Sequence, residues 1–328
     1  MGKGVRQLAG YSIMTAVMFV TPLFVFLPAA LFHAGVRHGR RLAWSALPVG
    51  AFLAALVAIP ASHAGTNTPA AANMSLAYLL ALVLGIGVPA LLILPLVQRG
   101  ESFGRVLMFA VIFSIIGLAV TELAMRSGLG FSPFADQVAS ARATADKFIT
   151  MYQQAGIPAD AIKFLRKWMD IGVYCLPAFL LMDVALVFVL SLVMLGRLRA
   201  WRDFVEQRKR TFTSPYLFRN LALPEWLLFA FVVGGLSPLA TGIPQRVAAN
   251  VLAIVVFLYL LQGLAIFRAL LSAAGAGFAG VMFAYFLLGL LTLTGIAPLV
   301  LSIAGIFDSF FDFRHFNRKD HSDESHLD

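Results

Sequence analysis

The sequence predicts an all-α fold, a polytopic transmembrane helix bundle of 8 to 10 membrane segments with an extra amphipathic helix pair on its external side. Of the 328 residues, 60% are hydrophobic and only 12% are charged, whereas soluble domains are about 45 to 50% apolar and about 25% charged. The apolar runs are continuous over about 20 residues, whereas the strands of membrane barrels alternate and are about ten residues long. This composition excludes a soluble enzyme and a nucleic-acid-binding domain. The single cysteine, Cys175, excludes a secreted disulfide scaffold.

Seven continuous apolar runs are the clearest candidate spans, and the two ends of the chain are less clear. Residues 9–35 contain Pro22 and Pro28, so they form either one kinked span or two short segments that meet near Thr21. Residues 296–311 form either a separate final span or a tail that runs along the interface. The seven clear runs are 42–59, 75–97, 106–124, 171–195, 226–241, 247–271 and 278–293.

The positions of lysine and arginine predict the orientation, because these residues collect in the cytoplasmic loops of membrane proteins. Arginines at 37–41 and 99–105, and the basic residues of 197–219, fall on one side when the central helices alternate. The opposite loop at 62–74 has no lysine or arginine, and 242–246 has one. We therefore assign the basic side to the cytoplasm of a bacterial inner membrane, with both chain ends inside. No convincing cleavage site follows the first apolar segment, so we expect it to remain in the mature protein.

The chain is organised as one bundle, residues 1–316, followed by a polar, disordered tail at 317–328. Residues 132–170 form an amphipathic external insertion, because apolar residues from Phe134 onward recur at steps of four and three. This helix pair is either a lid over a cavity or a segment that lies at the headgroups. The basic cytoplasmic loop, 196–222, binds anionic lipid or a partner protein, or serves only as a positive-inside anchor.

Asp183 is the one ionisable residue at mid-depth, near the centre of the 171–195 run. Because a charge in hydrocarbon is costly, such a residue is a functional-site candidate by default. It contacts a solute amine, carries a proton, or forms a hydrogen-bonded staple between helices. Glu122 lies near the external end of its span, where hydration at the interface would explain it. Alternatively, Glu122 and Asp183 form a pair of acids beneath the external lid.

Three polar residues of the 247–271 run are further candidates for substrate binding. Tyr259 and Gln262 are three residues apart and share a helix face, whereas Asn250 lies near the external end. Such side chains line pockets, but membrane helices also use them for packing. The Gly-Ile-Gly-Val-Pro stretch at 85–89 marks either a broken helix beside a site or an ordinary kink.

Asp308, Asp312 and His315 recur at i, i+4 and i+7, which places them on one helix face and permits a metal site. Such a set also arises by chance near a charged terminus, so we predict no metal and no cofactor. The sequence lacks a phosphate-binding Gly-Lys-Ser/Thr loop and a His-Glu-x-x-His motif. We therefore do not expect an enzyme, and active transport would need a partner ATPase or another external source of energy.

Three stretches carry a family resemblance. Leu-Pro-Glu-Trp opens a span at 223–226, Leu-Leu-Gln-Gly-Leu-Ala follows at 260–265, and Gly-Ile-Phe-Asp-Ser-Phe-Phe-Asp-Phe-Arg closes the bundle at 305–314. They resemble the YybS-like family of uncharacterised bacterial multi-spanning membrane proteins, which is similar to the solute-binding membrane subunits of energy-coupling-factor vitamin transporters. The likeness implies a substrate cavity near the external face and coupling to a cytoplasmic ATPase module. The insertion at 132–170 departs from those subunits, so no binding residue is carried over.

Two functions are consistent with these observations. The first is a solute-binding or transport-type protein of the bacterial inner membrane, whose partners are membrane lipids, a small-molecule solute and a cytoplasmic ATPase module or other protein, but no nucleic acid. The second is a non-transport membrane scaffold or assembly partner that docks cytoplasmic proteins through the basic loop and residues 308–314. An intramembrane enzyme is a distant third. The predicted substrate-binding residues are Asp183, Glu122, Asn250, Tyr259 and Gln262.

Overall fold

A computed structural model describes residues 2–65, 69–207 and 216–311, and every element in these ranges is helical, which confirms the all-α prediction. Contacts divide the chain into two compact units, residues 1–98 with 109–209, and residues 99–108 with 210–328. The helices are α1 (Lys3–Val20), α2 (Leu27–His38), α3 (Arg40–Gly65), α4 (Pro69–Leu82), α5 (Val88–Arg99), α6 (Phe103–Leu129), α7 (Pro133–Gln154), α8 (Ala159–Tyr174), α9 (Leu176–Arg197), α10 (Arg199–Gln207), α11 (Leu227–Gly235), α12 (Gly242–Ala273), α13 (Phe278–Leu293) and α14 (Ile296–Phe311).

Five helical stretches in the described ranges are long and apolar enough to cross a membrane, or six if α13 and α14 form one broken span. The predicted 8 to 10 segments are therefore not confirmed. The 226–241 run forms only a short apolar helix, because α11 ends at Gly235 before a 3-10 turn at Ser237–Leu239. The chain bends by 109° between α13 and α14. The five candidate spans are Arg40–Pro60, Asn73–Arg99, Phe103–Leu129, Leu176–Arg197 and Gly242–Ala273.

The first unit begins with a helical hairpin rather than one kinked span. A straight helix would set Tyr11 and His33 about 33 Å apart, but the Tyr11 hydroxyl lies 2.7 Å from Nδ1 of His33. The chain reverses at Thr21, whose hydroxyl accepts a hydrogen bond from the Leu23 N–H at 3.3 Å, and Pro22 opens the 3-10 turn that follows. α1 and α2 therefore run antiparallel, and neither is long and apolar enough to be a candidate span.

α4 and α5 form one candidate span that is interrupted by a π-helical turn at Val83–Gly87. π-turns widen a helix locally and occur frequently at functional sites. α6 packs closely against this turn at Gly117, where a Cβ atom would overlap the carbonyl oxygen of Leu84. The interruption predicted at 85–89 is therefore a change from α-helix to π-helix, and the helix continues through it.

α7 and α8 form the amphipathic pair predicted at 132–170. Ser132 caps α7 by accepting a hydrogen bond from the Ala135 N–H at 3.2 Å. The two helices pack together, and an exposed ion pair joins Arg166 to Asp146 at 3.7 Å. α8 ends at Tyr174, and Cys175 separates it from α9.

The second unit is built around α12, which packs antiparallel to α14. The backbones approach closely at two glycines, because a Cβ atom on Gly263 would overlap the carbonyl of Leu301, and one on Gly305 would overlap that of Tyr259. Small residues at such crossings let membrane helices come into backbone contact. α11 also packs against α12, with Gly234 facing Leu252.

The basic loop predicted at 196–222 is partly helical. α10 packs against α2 and α9, with Trp201 buried, whereas residues 208–215 lie outside the described part of the chain, as does the tail at 317–328. Tyr216 belongs to the second unit, where its hydroxyl donates to the carbonyl oxygen of Glu101 at 3.2 Å. Burial and the nearby Glu101 carboxylate raise the pKa of the Tyr216 phenol.

Candidate functional site

A cavity of about 550 Å³ lies within the first unit. Its walls come from α4 with its π-turn, from α6 and from α9, and residues from the start of α7 together with Phe24 of the 3-10 turn before α2 complete the lining. Pockets of roughly 300 to 1,000 Å³ that are mostly apolar and carry a few polar groups are typical of small-molecule sites. The cavity is therefore the right size for a solute.

The lining of the cavity is mostly apolar, and its charged residues are acidic. Leucine, isoleucine, valine, phenylalanine and proline supply most of the lining, and no lysine or arginine is among the described residues that form it. A negatively charged site with low-dielectric walls favours cations and disfavours anions. The polar lining residues are Asp183, Glu122, Thr121, Gln137 and Tyr78.

Asp183 lies closer to one end of its span than the sequence predicts. The 171–195 run would place it near the centre, but α9 begins only at Leu176. Asp183 is therefore about 10 Å along the helix from that start and about 21 Å from Arg197 at the other end. Its side chain is exposed to the cavity, and its carboxylate has no hydrogen bond or ion pair with any described residue. Among residues 2–65, 69–207 and 216–311, Asp183 thus has no partner of the kind that a staple requires.

Glu122 has a different environment, although it lines the same cavity. Its Oε2 accepts a hydrogen bond from the Phe134 N–H at 3.0 Å, and its Oε1 accepts one from the Ser132 hydroxyl. Both donors lie at the start of α7, where unpaired N–H groups and the helix dipole stabilise a carboxylate. Glu122 therefore holds the first turn of α7 against the cavity, and both of its carboxylate oxygens accept hydrogen bonds.

The two acids are thus brought to one cavity, beneath the first turn of a helix from the 132–170 insertion. Pro133, Phe134 and Gln137 of α7 contribute to the lining. This arrangement matches the lid alternative for the first turn of α7. The exposed Phe164 and Trp168 of α8 leave the headgroup alternative open for the rest of the pair.

The sequence analysis missed the lining residues that precede the π-turn, although the stretch that it singled out at 85–89 supplies Gly85 and Ile86. Tyr78, Ala81, Leu82 and Gly85 recur at i, i+3, i+4 and i+7, so they share one face of the helix that enters the π-turn. An aromatic residue followed by small residues on that face is a signal that could have identified them. Gln137 interrupts the apolar pattern of α7 and gives no comparable signal.

Asn250, Tyr259 and Gln262 do not line this cavity, because they belong to α12 of the second unit. Gln262 is buried, donates to Oδ2 of Asp308 at 2.9 Å and accepts a hydrogen bond from the Leu223 N–H at 3.0 Å. Tyr259 is buried edge-on against Phe231. Asn250 donates to the Arg246 carbonyl of its own helix at 2.9 Å. These contacts fit the packing alternative for all three residues.

The metal alternative rested on Asp308, Asp312 and His315. The last two lie outside the described residues. Within the ranges that the structure describes, no group of three or more histidine, cysteine, aspartate or glutamate side chains is arranged to hold a metal ion.

The helices define a polytopic α-helical membrane protein, and the cavity is its candidate site. The family model DUF2232, described as a predicted membrane protein, matches residues 11–309. The chain therefore belongs to the DUF2232 family of membrane proteins. Comparison with curated proteins and with solved structures found no match.

Proposed function

We propose that this chain is a solute-binding, transport-type protein of the bacterial inner membrane, and that the cavity of the first unit holds the solute. The observation that carries the proposal is the cavity itself, a space of about 550 Å³ whose apolar walls contain a carboxylate with no described partner. Open pockets of this size with mostly apolar walls are typical of small-molecule sites, and an unpaired charge is costly within apolar helices. A bound solute would account for both features.

The direction in which the solute enters follows from the ends of the helices. Arg197 terminates α9, and Arg37, Arg40 and Arg41 lie where α2 gives way to α3. Asp183 lies near the opposite end of α9 from Arg197. If the arginines mark the cytoplasmic side, the cavity is on the external side and takes its solute from there.

Movement of the solute across the membrane would need a partner. The sequence contains no phosphate-binding Gly-Lys-Ser/Thr loop, so the proposed partner is a cytoplasmic ATPase module. Its docking surface would be the basic cytoplasmic side, including α10. The resemblance to the YybS-like family and to energy-coupling-factor subunits supports this arrangement.

The proposal is tested by purifying the full chain from its native membrane in mild detergent and identifying the retained small molecules by mass spectrometry. The informative variant is Ala81→Trp, which fills the cavity from the π-turn side. Its matched control is Ala119→Trp on α6, an exposed position that does not line the cavity. We expect the native chain and the control to retain a molecule that the cavity variant loses.

Retention of the same molecule by both tryptophan variants would place the solute elsewhere and refute the cavity as the binding site. Proteins that co-purify are identified in the same sample. An ATPase pair among them would support coupled transport, whereas a stable complex with other cytoplasmic proteins and no retained solute would favour a scaffold.

A further inference from the structure

We infer that the solute is a hydrophobic monocation, an apolar body that carries one ammonium or similar charge, and that Asp183 is its counter-ion. This inference rests on the proposed function, because it names the class of molecule that the cavity takes. It follows from the unequal environments of the two acids, the apolar character of the walls and the aromatic rings among the lining residues.

The unequal acids determine the charge of the solute. Glu122 is already engaged by the Ser132 hydroxyl and the Phe134 N–H at the start of α7. Asp183 has no such contact, and no lysine or arginine lines the cavity within the described chain. The cavity therefore offers one carboxylate without a partner among the described residues, with which a single positive charge would pair.

The walls determine the body of the solute. Leu180, Leu181 and Val184 surround Asp183 on α9, and Ile115 and Leu118 face the cavity from α6. Within the described residues, no group of three or more histidine, cysteine, aspartate or glutamate side chains is arranged to hold a metal ion, so the lining does not favour an inorganic cation. Burying apolar surface stabilises the complex by roughly 25 cal/mol per Å², so an organic cation gains from the walls while a small inorganic ion does not.

Aromatic side chains add a preference for positive charge. Phe24, Tyr78 and Phe134 all line the cavity. Aromatic faces attract organic ammonium groups, and the attraction increases when the groups are removed from water. An anion or a neutral molecule of the same shape would not gain this contribution.

The test compares two probes of the same shape and opposite charge, tetraphenylphosphonium and tetraphenylborate. The full chain is placed in lipid nanodiscs, and probe bound to empty nanodiscs is subtracted, because both ions partition into bilayers. We expect saturable binding of the phosphonium and none of the borate. Replacing Asp183 by asparagine keeps the shape and removes the charge, and should weaken phosphonium binding at least about tenfold.

The matched variant is Asp146→Asn, which removes an exposed acid of α7 that does not line the cavity. Because its charge is exposed and lies outside the cavity, we expect phosphonium affinity to change less than about threefold. Should Asp183→Asn not yield folded protein, Leu180→Lys provides the test, because residues three apart share a helix face and its ammonium group would compete with the phosphonium for Asp183 while every native acid is kept.

The outcomes separate the inference from the proposed function. Equal binding of both probes, or phosphonium binding that is unchanged in Asp183→Asn, overturns the hydrophobic-cation inference but leaves a solute-binding cavity. The same conclusion follows if the native chain retains a neutral or anionic molecule that the Ala81→Trp variant loses. The cavity then binds a solute, but the solute is not a cation. If neither probe binds and no native molecule is retained, the inference and the proposed function both fail.

Discussion

The cavity of the first unit and the Gln262 cluster of the second unit, which consists of Gln262, Asp308 and the Leu223 N–H, use similar residues in opposite ways. In the cluster, the buried Gln262 amide makes hydrogen bonds through both its oxygen and its nitrogen. In the cavity, Asp183 makes none with any described residue. A polar residue in an apolar helix is thus structural where its hydrogen bonds are made within the fold. It is available for a ligand where they are not.

The largest effect is expected from Gly263→Ala, next to the Gln262 cluster. The added Cβ atom would overlap the carbonyl of Leu301 and force α12 and α14 apart, so we expect the free energy of unfolding to fall by about 3 kcal/mol. Thermal or SDS-induced unfolding in detergent measures this change.

The control for this substitution is Gly289→Ala on α13, where an added Cβ atom meets nothing within 4 Å. Because alanine favours a helix over glycine, the control should leave stability unchanged or raise it by up to about 1 kcal/mol. Similar losses in both variants would contradict the close crossing of α12 and α14.

The next largest effect is expected from Gln262→Leu, which retains much of the side-chain volume but leaves the Leu223 N–H and Oδ2 of Asp308 without this partner. Loss of buried hydrogen bonds should lower the free energy of unfolding by about 2 kcal/mol. Val247→Ala on the same helix should change it by less than about 0.5 kcal/mol, because that side chain is mostly exposed. If the two variants cost the same, the cluster is not the structural element that we describe.

A smaller and local effect is expected at the edge of the cavity. Ser132→Ala removes a hydrogen bond to Glu122 and the cap of α7. The free energy needed to open the first turn of α7 should therefore fall by about 1 kcal/mol. Hydrogen exchange of a peptide covering 131–137 measures the opening. Asp146→Asn, which breaks only the exposed pair with Arg166, should leave that peptide unchanged. Unchanged exchange in Ser132→Ala would show that Glu122 does not hold the start of α7.

Sequence periodicity predicted the helices well, because membrane helices carry their signal within 20 consecutive residues. The predicted number of spans is not confirmed, because it depends on where helices turn. The reversal at Thr21 and the bend between α13 and α14 lie within or beside apolar runs whose hydropathy does not change. The start of α9 at Leu176 shifted Asp183 away from mid-depth for the same reason.

The candidate site was half predictable. Composition and depth identified Asp183 and Glu122, since acids are rare in apolar runs. The sequence could not separate them from Gln262, because the distinction depends on partners that are distant along the chain. Leu223 lies 39 residues before Gln262, and Asp308 lies 46 residues after it. Glu122 finds its partners only ten and twelve residues away, but through a turn that the pattern did not specify.

The smallest effect on stability is expected at Asp183, and it is the sharpest test of the comparison. Asp183→Asn removes a charge that has no partner among the described residues, so no internal contact is lost. We expect the free energy of unfolding of the solute-free protein to stay within about 0.5 kcal/mol of its native value, or to rise slightly because an unpaired charge is gone. A loss near the 2 kcal/mol expected for Gln262→Leu would mean that Asp183 is a staple after all. With saturating phosphonium present, the native chain should be stabilised further while the variant is not, because only a ligand that binds the folded state raises its stability.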